Sequence, residues 1–328
     1  MIHASAPGRC GLVGNPTDGY GGSVLSSALA ERAVVEVTPA RRTVLEICGD
    51  REVISGKEDL SLNGSYTDAA KAVFTFFDQV LELRPFYLRA HTTIPIQGGL
   101  SGSTAMMVAI LGATLRMLEI RLNPYQIAET ARHIELNILK CVCGFQDQYM
   151  TVFGGLNYLD FQDKEPTAAE EPVFATVEPL APLVGELPLL LANTGVQRHS
   201  GTVHKSLRDR WIEGDEAVVA GYRRIARLAR EAKSAVLSGD WDAVGAAMNE
   251  NHAIQRDLGG SGEVNERLIA AALAAGARGA KLAGAGKGGT IIAVHEDPAY
   301  LARHLVEAGA ARVIRVYPGD GLIVEGQM

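Results

Sequence analysis

The stretch that decides the reading of this chain is Pro95-Ile96-Gln97-Gly98-Gly99-Leu100-Ser101-Gly102-Ser103-Thr104-Ala105. It lies between an alternating segment, Phe86 to Thr93, and the apolar run Ala105 to Leu115, so it reads as a turn from a strand into a buried helix. Small residues let the backbone approach a ligand there. The N–H groups left over at a helix start and the positive end of the helix dipole face an anion. Gly98, Gly99, Leu100, Ser101, Gly102, Ser103 and Thr104 are the expected phosphate cradle, with the Ser103 and Thr104 hydroxyls open to a phosphate or its metal. The same letters also fit a glycine turn with Ser/Thr capping. No G-x-x-x-x-G-K-[ST] occurs, which excludes a Walker A loop.

Three other segments carry chemistry. Lys281-Leu282-Ala283-Gly284-Ala285-Gly286-Lys287-Gly288-Gly289-Thr290 satisfies G-x-G-x-x-G, but Thr290 to Val294 then reads as a strand, where a dinucleotide fingerprint needs a helix. A tight glycine turn between two strands remains, either a plain hairpin or a loop lying against a ligand. Pro7 to Gly22 mixes Arg9, Asn15, Thr17, Asp18 and Tyr20 with glycines, which suits a hydroxyl-rich molecule or an ordinary surface loop of Asx turns. In Gly144-Phe145-Gln146-Asp147-Gln148-Tyr149 the carboxylate of Asp147 is either catalytic or a helix cap.

Composition bounds the function. A chain of 328 residues holds two domains at roughly 150 residues each. With 47% hydrophobic and 21% charged residues it is globular, and a net charge of −7 lacks the basic excess that nucleic acid or an anionic membrane requires. Cys10, Cys48, Cys141 and Cys143 show neither a disulfide framework nor zinc spacing. With no signal peptide and no apolar run long enough to span a bilayer, a cytoplasmic protein is expected. A helix is expected over Asp68 to Leu83, another from the Asn123 cap through Pro124 to about Lys140, and long helices over residues 203–237, 240–256 and 265–275. Ala33 to Ile47 reads as a hairpin or two short strands. Pro166, Pro172, Pro179, Pro182 and Pro188 mark a crossing between domains 1–186 and 187–328, giving two α+β lobes.

Taken in order, the three glycine-rich segments resemble the motifs of the GHMP kinase superfamily, the sugar and mevalonate kinases. Pro7 to Gly22 is similar to its first motif, Pro95 to Ala105 to its phosphate-binding second and Leu282 to Gly289 to its third. The resemblance implies two α+β lobes with the active site in the cleft between them, ATP as co-substrate and Mg²⁺. It implies that Gly284, Gly286 and Gly288 join the second motif around the nucleotide. Ser103 and Glu135 would hold the metal, and Asp147 would face the acceptor hydroxyl. Arg9 and Asp18 match first-motif positions that galactokinases use near the sugar, whereas Asn15-Pro16 departs from that subgroup's Glu-His. Asn15, Asp18 and Tyr20 stand in a first motif like that of glucuronokinases. Gly144 to Asp160, Asn193-Thr194-Gly195 and Asn249 to His252 are similar to heptose-phosphate kinases.

Both of those relatives imply phosphorylation of an anomeric hydroxyl. An anionic acceptor needs a cation, and Arg9 and Arg198 are the arginines near the motifs. The chain is therefore expected to be an ATP-dependent sugar kinase of the glucuronate or heptose 7-phosphate type. Its partners would be a small sugar or sugar phosphate, with no nucleic acid and no membrane, as a monomer or homodimer. The alternatives are a catalytically silent sugar- or nucleotide-binding regulator and a kinase for a non-sugar alcohol such as mevalonate.

Overall fold

Residues Ile2–Val13 (β1) and Ser23–Pro39 (β2) run antiparallel and form the spine of the larger of two sheets. In the computed structural model, residues 1–164, 173–196, 207–284 and 289–327 are described. Two strands are indeed present within Ala33 to Ile47, but they do not form a hairpin. Thr43–Ile47 (β3) pairs antiparallel with Asp50–Ile54 (β4) and in parallel with Phe86–Thr92 (β5), while β5 separates it from β2. The first half of β2 has no alternation to betray it, because Ser26, Ser27 and Ala28 are fully buried and small residues serve both faces there. That half pairs with Leu156–Asp160 (β6), which in turn pairs with Thr176–Pro179 (β7).

The second sheet is antiparallel throughout. Its strands are Leu189–Asn193 (β8), Gly279–Leu282 (β9), Thr290–Val294 (β10) and Arg312–Arg315 (β11), in the order β11-β8-β10-β9. Of the strand–glycine turn–strand reading of 279–294, the two strands are present and pair antiparallel as β9 and β10, while residues 285–288 lie outside the described residues. Ile323–Gly326 (β12) returns to the first sheet and pairs with β1, Ile2 opposite Gly326.

Helices cover these sheets. Asp68–Phe76 (α1) stops at Phe77, and a 3₁₀ turn over Asp78–Glu82 completes the span expected to be one helix. Gly102–Met117 (α2) follows the cradle and is buried almost all round, including Met106 and Met107, against β1 and β2. Pro124–His133 (α3) starts on the Asn123 cap, whose side chain accepts from the Gln126 amide, and Gln146–Phe153 (α4) packs against it. The span 203–237 is not one helix. Residues 207–212 are helical, Gly214 turns the chain with φ +78°, and Asp215 caps a new helix, Glu216–Ser238 (α5). Trp241–Asp257 (α6), Glu263–Ala274 (α7) and Pro298–Glu307 (α8) follow.

α6 lies on β9 through a contact between backbones. A Cβ on Gly279 would sit 2.3 Å from the Gly245 carbonyl oxygen, and one on Gly245 would sit 2.6 Å from the Arg278 carbonyl. α5 and α6 also reach the first sheet, α5 against β2 and α6 against β1, so the two α+β lobes meet over the first motif.

Candidate active site

The first motif is not a surface loop. Pro7 through Val13 belong to β1 and are buried, and the Asn15–Tyr20 turn follows. The register against β2 shifts between Pro7 and Arg9, since proline has no N–H to give the ladder. The Arg9 amide turns instead to the Leu100 carbonyl at 3.0 Å. Gly8 permits this approach, because a Cβ there would lie 2.9 Å from the same oxygen.

The cradle itself alternates in backbone handedness. Gln97, Gly99 and Ser101 have φ of +53°, +75° and +60°, while Gly98 and Leu100 between them do not have positive φ. Such alternation turns successive amides toward one concavity, the geometry of an anion nest, and α2 begins at the next residue. Thr290 Oγ1 fastens the loop by donating to the Gly98 carbonyl at 2.8 Å, and Asn193 Nδ2 donates to Thr290 Oγ1 at 3.0 Å. Ser103 is exposed at the helix start, whereas Thr104 is buried and donates to Glu135 Oε1 at 3.0 Å.

Glu135 sits where α3 passes into a π turn over Ile134–Ile138. That turn directs the carboxylate inward, where Gln148 Nε2 also donates to Oε2 at 2.6 Å. Burial first, and then the negative charge of Asp147, raise Glu135 to about 7.

Asp147 occupies the second position of α4. Arg9 reaches it with Nε at 2.7 Å from Oδ1, and the same guanidinium donates through Nη1 to the carbonyls of Gly99 at 2.9 Å and Ala283 at 3.5 Å. One side chain thus joins the strand of the first motif, the nest, the third motif and Asp147. All three of its nitrogens make contacts within the chain.

Asp18 lies across from α4. Its Oδ2 accepts from the amides of Phe145 and Gln146, both at 2.9 Å, and caps the helix that carries Asp147. Gly144 leaves room for this carboxylate, since a Cβ there would fall 2.0 Å from Oδ2. Tyr20 packs its ring against Trp211 and Tyr222 at centroid distances of 5.2 and 4.8 Å, and burial pushes its phenol up to about 12. With Gly21, Gly22 and Arg223 these rings line a cleft of about 380 Å³. Asn15 is buried, and its Oδ1 accepts from Lys281 Nζ at 2.8 Å. Of the third motif, Leu282 to Gly284 and Gly289 are described, and Arg198, Gly286 and Gly288 lie outside the described residues.

Lys281 is the site residue that sequence reasoning passed over. Its signal was a lysine set between Ala280 and Leu282 in an otherwise apolar strand, a position that a solvated cation does not occupy. Burial lowers it to about 7.

A strand-borne first motif, a glycine loop at a helix start and a third motif between two paired strands define an α+β class. The model of the GHMP kinases N terminal domain matches residues 66–155, and that of the GHMP kinases C terminal matches residues 232–310. The chain belongs to the GHMP kinase family. It is 28% identical to glucuronokinase 1 of Arabidopsis thaliana over 315 residues, covering 88% of this chain and 84% of that protein. It is 27% identical to mevalonate kinase of Pyrococcus furiosus over 343 aligned positions, covering 99% and 96%. The fold matches the crystal structure of a D-glycero-D-manno-heptose 1-phosphate kinase from Bacteroides thetaiotaomicron with a TM-score of 0.77, 23% identity and full coverage of both chains. Among the described residues no helix is long and apolar enough to cross a membrane.

Proposed function

We propose that this chain is an ATP-dependent kinase that transfers the γ-phosphoryl group to the anomeric hydroxyl of a sugar of the glucuronate or heptose 7-phosphate type. The observation that carries this reading is the Arg9 side chain, which holds Asp147 while its other donors grip the rim of the nest. Phosphoryl transfer requires positioning and charge neutralisation more than covalent chemistry, and such a bridge fixes acceptor and phosphate sites relative to each other. The relative named glucuronokinase supports a sugar acid as acceptor.

The acceptor oxygen attacks the γ-phosphorus, the bridging P–O bond breaks, and ADP leaves. Both Arg9 contacts with Asp147 fall on Oδ1, which leaves Oδ2 to receive the hydrogen of the acceptor hydroxyl. The second-motif amides from Gly99 to Thr104 neutralise charge on the transferring phosphoryl oxygens, the Gly98 amide being held by the Pro95 carbonyl at 3.2 Å. The donor set fits Mg²⁺, a cation that takes oxygen ligands: the Glu135 carboxylate is buried and pushed up to about 7 by that burial and then by its neighbour Asp147, and the Ser103 hydroxyl stands exposed at the start of α2. Ser103 and Glu135 would hold the ion, which when bound supplies charge stabilisation to the phosphates. In this reading residues 1–186 and 187–328 form the two lobes, Asn15, Asp18 and Tyr20 face the sugar, and Gly284, Gly286 and Gly288 cover the nucleotide. Arg9 positions Asp147, so the acceptor's anion falls to Arg198.

The mevalonate kinase relative supports a second reading, in which the acceptor is a non-sugar alcohol. A coupled ADP-release screen of glucuronate, galacturonate, heptose 7-phosphate, galactose, fucose and mevalonate separates the two. An acid-labile sugar 1-phosphate, identified by phosphorus NMR, is the expected product. Transfer to mevalonate alone selects the second reading, and ATP binding without transfer to any acceptor selects a silent regulator.

A further inference from the structure

Lys281 is completely buried, and among the described residues no carboxylate pairs with it. Its Nζ donates to Asn15 Oδ1 at 2.8 Å, to the Gly11 carbonyl at 3.5 Å and to the carbonyl of Leu282. An ammonium only donates, so the atom of the Asn15 amide that faces it is the oxygen. The amide nitrogen is thereby turned away, and this Nδ2 is buried without a hydrogen-bond partner.

The turn cannot swing to satisfy it. Asn251 accepts from the Gly14 amide through Oδ1 at 2.9 Å and donates through Nδ2 to the Asn15 carbonyl at 3.3 Å, so the backbone is held from both sides. The Asn15 side chain lies beside the start of the helix that carries Asp147. A Cβ on Gly11 would lie 2.5 Å from Asn15 Oδ1 and 3.0 Å from Gln146 Nε2, so the two amides meet over that glycine, and Gln146 immediately precedes Asp147.

We propose that Lys281 is a positioning residue that locks the Asn15 amide in the one orientation presenting Nδ2 as a donor to an oxygen of the acceptor beside Asp147. The proposal rests on the kinase reading above and deepens it by naming a first-motif donor and the third-motif residue that aims it. An apolar side chain would fill the Lys281 site at less cost than a buried cation, but it would leave the Asn15 amide free to flip. Burial lowers Lys281 to about 7, so the ammonium that holds this orientation is fully populated only below that pH.

The test is steady-state kinetics of the wild type, Lys281→Met, Asn15→Leu and the double variant, with KM read separately for acceptor and ATP. Each single variant is expected to raise the acceptor KM roughly tenfold, the double variant no further, and ATP KM to stay within about twofold. Asn15→Asp keeps the shape, gains an ion pair to Lys281 and loses the donor. It is expected to raise Tm while raising acceptor KM roughly tenfold, a split that a merely structural clasp does not produce. Unchanged acceptor KM in Asn15→Asp, or additive losses in the double variant, overturns the proposal even if Lys281→Met fails to fold. A wild type that moves phosphate to no acceptor overturns the kinase reading and this one with it.

Discussion

Arg9 touches Asp147 twice on the same oxygen, with Nε 2.7 Å and Nη2 2.5 Å from Oδ1. The two residues are 138 positions apart, one on β1 and the other on α4. Because the same guanidinium also binds the carbonyls of Gly99 and Ala283, the carboxylate cannot rotate without loosening the nest and the third motif.

Asp147→Asn keeps the shape and loses the charge that orients the acceptor hydroxyl. Turnover is expected to fall by about 10²- to 10⁴-fold with ATP affinity nearly unchanged. Single-turnover transfer and nucleotide titration measure the two effects separately, and a variant with wild-type kcat removes Asp147 from the mechanism.

Ser103→Ala is expected to raise the Mg²⁺ concentration needed for half-maximal activity without lowering Tm, since the hydroxyl is exposed. Glu135→Gln is expected to do the same. Gln148 accommodates the new amide by turning its Oε1, which is buried without a partner, toward it. Mg²⁺ titrations that superimpose on the wild type would restrict both side chains to structural roles.

The buried amino group of Lys281 predicts a pH dependence of stability. Its value falls from the ordinary 10.5 to about 7 in the folded chain, so between those limits the unfolded chain binds a proton that the folded one lacks. Stability contributed by this group is complete above pH 10.5 and is lost as pH falls toward 7. Relative to Lys281→Met, the wild type should gain up to about 1.4 kcal/mol per pH unit across the alkaline part of that window. Urea unfolding of both proteins at several pH values measures the slope, and parallel curves contradict it.

At the α6–β9 contact the backbone leaves no room for a methyl group, with a Cβ on Gly245 falling 2.6 Å from the Arg278 carbonyl. Gly245→Ala should destabilise the protein by about 1–3 kcal/mol, more than offsetting the gain in helix propensity. Thermal unfolding reads this directly, and an unchanged Tm would mean that the helix slides along the strand at no cost.

What the sequence made legible was local. The strand-to-helix turn at residues 95–105, the Asn123 cap and the strands β9 and β10 each follow from propensities within a dozen residues, and all three elements are present. The G-x-G-x-x-G letters were correctly denied a Rossmann role because a strand follows them. Long-range pairings left no such trace. Asp18 caps α4 from 127 residues away, a role that Asx-turn chemistry around Asp18 does not announce. The pattern over 203–237 reads as one helix because Ala, Arg and Glu on both sides of Gly214 outweigh one glycine, whereas α5 begins only after it. The inward aim of Glu135 depends on a π turn, and periodicity calculated at 3.6 residues cannot register that extra residue.

The return of β12 to β1 sets the order in which this protein can be finished during synthesis. Ile2 through Ser5 are made before the second sheet, yet the residues that cover their outer hydrogen-bonding edge, Ile323 to Gly326, are made only after the whole of it. Until then the nascent first lobe carries an open strand edge, the kind that pairs with a neighbouring chain as readily as with its own. Closing that edge joins the two most distant parts of the described chain, so the slowest contact in loop-closure terms is also the one that seals the sheet against aggregation.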